Sequence, residues 1–544
     1  MSAPIAARSA RAAFRPLPAG TRHLARLSLR RDRVLIAVWL TATAGIALGG
    51  AVSADDTYPT PEARQERWEQ LQSVPMFALF QSRAFAASAE ALVAQQAFAA
   101  ATMCAALGAV LLVVRGTRTE EASGRSELLG GAPLGRHAGL AGALTVALGS
   151  AAVLAAVVAA GLLALGLPVA GSVALALVTA AAAGVGAGLA AVAVQCTTRP
   201  GAAAGLALGA FYVMHMVRGT GAAAGGGALW LTWAVPNGWL ENVRPFADER
   251  WWALLPVLAW IALTVGAAFA LAERRDLGSA LFSRRGGPVR AARWLRSVPA
   301  LVWRLHRGSV LVWAAALAVM GLAMGRTGAQ AMAEYADMPW VRAMAAELGV
   351  EPADTFFVYV VFAFVFPVAA HAVLTALRVR AEENAGTGEL LLAGPTGRTA
   401  WALAHAAAAF AAPVVLLAAL GVAVGLGAGL GGERVWFDVG RFTALTLSLA
   451  PAVWVVVAVT LLAYGTVPRA CAVVGWGFLA LGILTEIAVK VNLVPDAVFT
   501  LVSPFAHVNP YYRESWASYP LLAALAAVLT AVGLWALRRR DLPA

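Results

Sequence analysis

Two stretches of this sequence carry one polar pattern, R-x-E-E-x-x-G-x-x-E-L-L-x-x-x-P-x-G-R, first from Arg118 to Arg136 and again, 262 residues on, from Arg380 to Arg398. The first copy presents Glu120, Glu121, Gly124, Glu127, Leu128 and Leu129; the second presents Glu382, Glu383, Gly386, Glu389, Leu390 and Leu391. Glutamates followed by a leucine pair suit recognition, since carboxylates and a small apolar knob together can be gripped by another protein. Thr117 with Glu120 fits a capping box, and acidic residues in a first turn are favoured by the helix dipole. The spacing therefore predicts a short amphipathic helix with Leu128 and Leu129 as its apolar end, stopped by Pro133, and by Pro395 in the second copy. Ten identities in a polar loop do not follow from shared hydrophobicity, so the pattern marks a duplication.

Other chemistry is sparse. A nucleotide-binding P-loop needs a lysine after its glycines, and the only lysine is Lys490, in Ile-Ala-Val-Lys-Val-Asn. There is no H-E-x-x-H zinc pattern, and the seven histidines are scattered. Cys104, Cys196 and Cys471 are odd in number and lie in or beside apolar stretches, so neither a disulfide framework nor a metal site follows. Ionisable residues inside apolar runs are candidate pathway residues. These are Glu486, His215 and His371, each with a bland counterpart: a histidine satisfied near a span end, or Glu486 paired with Lys490 one turn on. The pair Asp55 and Asp56 suits a catalytic carboxylate in an outer loop, and equally a solvated acidic loop with Glu62, Glu66 and Glu69.

The elements that position these residues are membrane helices. Apolar residues make up 60% of the 544-residue chain and charged ones 13%, about half the usual charged share of a soluble domain. A bilayer core asks for roughly 20 apolar residues per helix, and twelve runs answer. Six lie near Val34–Ser53, Leu92–Val114, Leu140–Ala164, Val173–Val194, Gly201–Val217 and Trp251–Leu271. Six more lie near Ser309–Ala323, Phe356–Ala376, Ala400–Gly425, Phe442–Tyr464, Ala470–Ile487 and Leu521–Leu537. The stretch Gly219 to Pro236 is too short to span comfortably and reads as an interfacial or re-entrant element.

The fold class is thus all-α integral membrane, about twelve transmembrane helices in two six-helix halves. Six spans separate equivalent points, so the repeat is parallel and the halves should surround an axis along the membrane normal. Two shorter echoes agree: Arg30, Arg33 and Trp39 recur as Arg304, Arg307 and Trp313, and R-R-D-L at Arg274–Leu277 recurs at Arg539–Leu542. The organisation reads as an Arg-rich segment over 1–33, a first half over 34–277, a linker over 278–307 and a second half over 308–544. Under the positive-inside rule both Arg-rich termini and the duplicated loops face the cytoplasm of a bacterial inner membrane. Because the arginines are spread over many loops, the net charge of +12 sets topology and does not mark a nucleic-acid partner.

With its duplicated E-E-x-x-G-x-x-E-L-L loop, its R-P-F-x-x-x-R-W-W sequence from Arg244 to Trp252 and the R-R-D-L closing each half, the chain resembles the actinobacterial ABC-2-type permeases that export polyketide antibiotics, the tetronasin-transport type. The resemblance implies a permease without an ATPase site of its own, partnered by two copies of a separate ABC ATPase that holds the ATP and Mg. Each glutamate-rich loop would be a coupling helix in a groove of one ATPase, and Arg22, Arg26 and Arg30 would lie on an interfacial connecting helix. The implied cargo is apolar, a polyketide, an ionophore or a drug in multidrug efflux. In the second half R-P-F becomes Asn509-Pro510-Tyr511, so no shared role for that motif is carried across. Two readings from other classes remain open, an ion-coupled secondary transporter and a polytopic glycosyltransferase using Asp55 and Asp56.

Overall fold

The structure is a computed structural model and describes residues 20–52, 58–125, 134–275, 279–281, 290, 292–430, 434–490, 494–509 and 515–540. Every described element is helical, and twelve helices are long and apolar enough to cross a membrane. In chain order they are α1 Thr21–Val52, α2 Ala89–Ala122, α3 Ala138–Ala164, α4 Val169–Cys196, α5 Pro200–Ala224 and α6 Trp251–Glu273. The second set is α7 Val298–Gln330, α8 Pro352–Asn384, α9 Arg398–Gly429, α10 Val435–Thr466, α11 Cys471–Val489 and α12 Ser518–Arg539. The chain divides into two compact units at Gly287 and Pro288, each holding six of these helices.

Within each unit the packing order is the same. The first helix lies on the third, the second on the fourth, and the fourth also carries the fifth and sixth. In lipid, helix association cannot draw on hydrophobic burial between equally apolar phases, so it depends on close packing of small residues. The sequence of α4 is accordingly dominated by alanine and glycine, with an almost unbroken buried face from Leu175 to Gln195. In the second unit Gly465 of α10 sits against the backbone of Gly533 in α12, where an added Cβ would collide with the Gly533 carbonyl.

Two expectations change. The helix of α1 runs unbroken from Thr21 to Val52, so Arg22, Arg26 and Arg30 are not on a separate connecting helix; they form an exposed stripe on the first turns of the span's own helix. Likewise the first helix of the second unit starts at Val298, inside the stretch expected as linker. The segment from Gly219 to Pro236 folds as the end of α5, a 3-10 turn at Gly226–Ala228 and the short helix Trp230–Trp233.

Candidate functional site

The duplicated loops emerge from the ends of α2 and α8. In the first unit the helix is regular to Val114, passes through a π turn at Arg115–Thr119 and closes on Glu120–Ala122. The capping-box reading is therefore corrected. Thr117 Oγ1 donates back to the Val113 carbonyl at 2.6 Å, and Glu120 and Glu121 occupy the last turn of a long helix. In the second unit Arg378–Asn384 likewise continues the helix of α8. Carboxylates at a helix C-terminus oppose the dipole, so their position has to be held by cations.

The glycine of the motif ends the helix in both copies. Gly124 has φ +72° and Gly386 φ +68°, a left-handed conformation that a residue without Cβ takes at little cost. The N–H of Gly124 returns to Glu121 O and that of Gly386 to Glu383 O, each at 3.1 Å.

The second glutamate of each motif is clasped by the second arginine of R-R-D-L. Arg275 makes a forked contact with Glu121, at 2.7 and 3.1 Å, and Arg540 reaches both oxygens of Glu383 at 3.0 Å. The motif's own first arginine completes the triad, Arg118 to Glu121 at 2.6 Å and Arg380 to Glu383 at 2.9 Å. The end of the fourth span joins as well. Arg118 donates to Val194 O, Arg275 to Gln195 Oε1 at 2.6 Å, and the Arg540 guanidinium lies over Tyr464 at 5.0 Å. The last arginine of the motif caps the sixth span: Arg136 donates to Glu273 O at 2.9 Å and Arg398 to Arg540 O at 3.2 Å. One joint thus ties the end of the second span to the ends of the fourth and sixth, twice over. A forked arginine–carboxylate pair fixes geometry as well as charge.

The first glutamate differs between copies. Glu120 bonds Arg31 of α1, which also pairs with buried Asp32 at 2.5 Å; Asp32 in turn holds Arg115 at 2.8 Å. Glu382 instead lies 3.5 Å from Arg378 and 3.3 Å from the Nε2 of fully buried His405. The ring of His306 meets His405 edge-on at 5.8 Å.

What each loop leaves free is visible in the second copy, where the short helix Thr387–Leu392 follows Gly386. Leu391 and Leu392 pack against the core around Trp401 and Tyr464. Leu390 is 80% exposed, and Glu389 beside it is exposed too. The expected leucine pair is split into an anchor and an open knob. In the first copy Glu127, Leu128, Leu129 and Pro133 lie outside the described residues, as do Asp55, Asp56, Asp276, Leu277, Pro510, Tyr511, Asp541 and Leu542.

The three candidate pathway residues fall into separate local networks. His215 contacts Phe80 O at 3.2 Å and Arg218 at 3.4 Å. His371 contacts Ser309 at 3.1 Å and leans on Trp313 at 5.3 Å. Glu486 is buried in α11. Among the described residues no group of three His, Cys, Asp or Glu is placed to hold a metal. An apolar crevice of about 460 Å³ opens in the second unit between α9, α10 and α12, lined by alanines with Phe410, Trp454 and Leu534 and by one hydroxyl, that of Thr530.

Sequence reading missed the ion cluster beside His215. Arg218, fully buried, meets Glu241 at 2.6 Å, and Arg83 meets the same carboxylate at 3.1 Å. Burial pushes against the charged form of Glu241, but Arg218 and Arg83 overcome it and hold its carboxyl below the usual range.

Residues 295–538 match the family described as Multidrug efflux system permease Rv1217c, C-terminal domain. The chain is also similar to the Multidrug efflux system permease protein Rv1217c of Mycobacterium tuberculosis (strain ATCC 25618 / H37Rv). The two are 34% identical over 531 residues, covering 96% of this chain and 95% of that protein.

Proposed function

The chain belongs to the family of multidrug efflux system permeases, and from that premise we propose that it is the membrane subunit of an ABC exporter, energised by a separate ATPase that seats on each duplicated loop. The observation that carries this reading is the repeated joint. A push on the face of Glu389 and Leu390 passes through Gly386 to Glu383, and from there by Arg540 to the end of α12 and by Tyr464 to α10. The first unit has the same path through Glu121 and Arg275. Docking loops that are bolted to three spans transmit force, whereas a solvated loop has no use for such a joint.

In this reading the loops and both termini lie on the cytoplasmic side of the bacterial plasma membrane, ATP and Mg bind on the partner, and closure of two ATPases rocks the halves between inward- and outward-facing states. The free docking contacts are Glu389 and Leu390 in the second loop, with Glu127 and Leu128 as their counterparts in the first. Glu120, Glu121, Glu382 and Glu383 act one step behind, as the links that carry the push inward. The cargo is apolar, a drug-like, polyketide or ionophore compound, for which a crevice walled by alanine and aromatic rings is a suitable surface.

The cluster of His306, His405 and Glu382 favours one alternative, a proton-coupled secondary transporter. Inverted membrane vesicles separate the two. Drug accumulation that requires ATP hydrolysis and survives a protonophore supports the exporter; accumulation driven by an imposed pH gradient without nucleotide overturns it.

A further inference from the structure

The R-P-F-x-x-x-R-W-W segment plays no part in the joint, because it lies at the opposite end of the first unit. Arg83 precedes the start of α2, and Glu241 to Arg250 precede the start of α6, while the joint is built on the far ends of both helices. Four arginines, Arg83, Arg218, Arg244 and Arg250, gather there with Glu241, Asp248 and Glu249. Glu241 is fully used by Arg83 and Arg218. Glu249 accepts the Phe246 N–H at 3.2 Å, and Asp248 is exposed.

Among the described residues Arg244 makes no ion pair. Its guanidinium lies 4.5 Å over the ring of Phe85, which Arg83 also covers at 4.9 Å, and its Nε is buried with no hydrogen-bond partner. The Nε of fully buried Arg218 is also without a partner, as are both amide atoms of fully buried Asn237, one turn before Glu241. Buried polar groups without partners are rare and ask for an occupant. The loop that delivers Arg244 is held in an unusual shape, with Arg244, Phe246 and Asp248 all at positive φ, 56°, 60° and 61°. Phe246 is seated against Gly171 of α4, and Arg250 N closes the loop on Val243 O at 2.8 Å.

Depth identifies the kind of anion. Trp230, Trp251 and Trp252 are exposed around this segment, and Trp233 stacks on Trp252 at 5.2 Å with planes 2° apart. Exposed tryptophans collect at the level of lipid headgroups. We propose that Arg244, with Arg83 and Arg250, forms a binding site for a singly charged phosphate group at headgroup depth, the phosphodiester of an anionic phospholipid. The second half has Asn509 in place of Arg244, so one such site is expected per molecule.

Native mass spectrometry of the full-length protein in detergent, titrated with phosphatidylglycerol, tests this. The wild type should retain one phosphatidylglycerol in preference to phosphatidylcholine. Arg244→Gln should weaken that adduct by about tenfold, the loss of one charge-assisted contact, while Arg342→Gln, a surface change in the other unit, leaves it intact. Arg250→Gln, an exchange in the same cluster, should weaken it in the same direction and serves if Arg244→Gln does not fold. Displacement of the adduct by millimolar inorganic phosphate would assign the site to the phosphate group alone; no displacement assigns it to the whole lipid. Equal phosphatidylglycerol affinity in wild type and both glutamine variants overturns the proposal.

Discussion

The two duplicated loops share one joint and differ in one link. Glu121 and Glu383 are clasped alike, by Arg275 and Arg540 from the sixth span of each half and by the motif's own Arg118 and Arg380. Glu120 and Glu382, one residue earlier, have partners of different chemistry: Arg31, tied to Asp32 and Arg115, in the first half, and His405 beside His306 in the second. In the proposed mechanism force transmission fixes the first set, because the glutamate at a helix C-terminus needs a cation delivered by the element it must move. The second set ties the loop to α1 in the first half and to α9 in the second, a link whose chemistry differs between the halves. Arginine keeps its charge at any physiological pH, while an imidazole is a cation only when protonated. The first link is made by arginine, and the second is shared between Arg378 and an imidazole.

The largest effect should come from breaking the joint. Glu121→Lys and Glu383→Lys each leave two arginines facing a third cation, and loss of one partner of a largely buried pair costs about 3 kcal/mol. Thermal unfolding and drug export should fall by similar amounts for the two changes, and Arg540→Glu combined with Glu383→Lys should recover part of the loss. A large defect in one half alone would break the equivalence.

A smaller effect should separate the links. The charged and titratable groups around Glu382 are Arg378 on its own helix, His405 on α9 and His306 on α7. His405→Ala removes the imidazole that faces Glu382 and leaves Arg378 as its partner, so export should fall modestly. Export should fall further in Arg31→Ala, where Glu120 and Asp32 both lose an arginine. Equal losses in Arg31→Ala and His405→Ala would remove the distinction between the halves.

The smallest effect on stability should come from the open knob. Leu390→Asp changes an exposed side chain and should leave unfolding within about 0.5 kcal/mol. Leu391→Asp places a charge against the Trp401 core and should cost more than Leu390→Asp in the same unfolding assay. Retention of the ATPase should fall in Leu390→Asp despite its intact fold.

Much of the architecture was legible because lipid imposes it: a span must be a long apolar run, and all twelve were visible as such. The duplication was legible because a polar pattern stands out in apolar sequence. The direction of the loop helix was not. The spacing of Thr117 and Glu120 fits a capping box, but the same spacing occurs inside any helix, and nothing local says that α2 continues past Val114. The clasp was hidden by distance along the chain, since Arg275 is 154 residues from Glu121 and Arg540 is 157 from Glu383. Two motifs of opposite charge, both duplicated and on the same side of the membrane, were the available signal. Arg218 and Glu241 escaped because one sits at a span end and the other at the end of the short helix Pro236–Glu241 between spans, although the second half has Ala506 and Asn509 at the places of Glu241 and Arg244.

The central claim is that both loops seat an ATPase. The direct measurement is gentle purification of the tagged chain from its native membrane, with quantitative mass spectrometry of what accompanies it. The account predicts a P-loop ATPase at two copies per chain, reduced when Leu390→Asp is introduced. An intact, monodisperse chain that repeatedly purifies without any ATPase would contradict it.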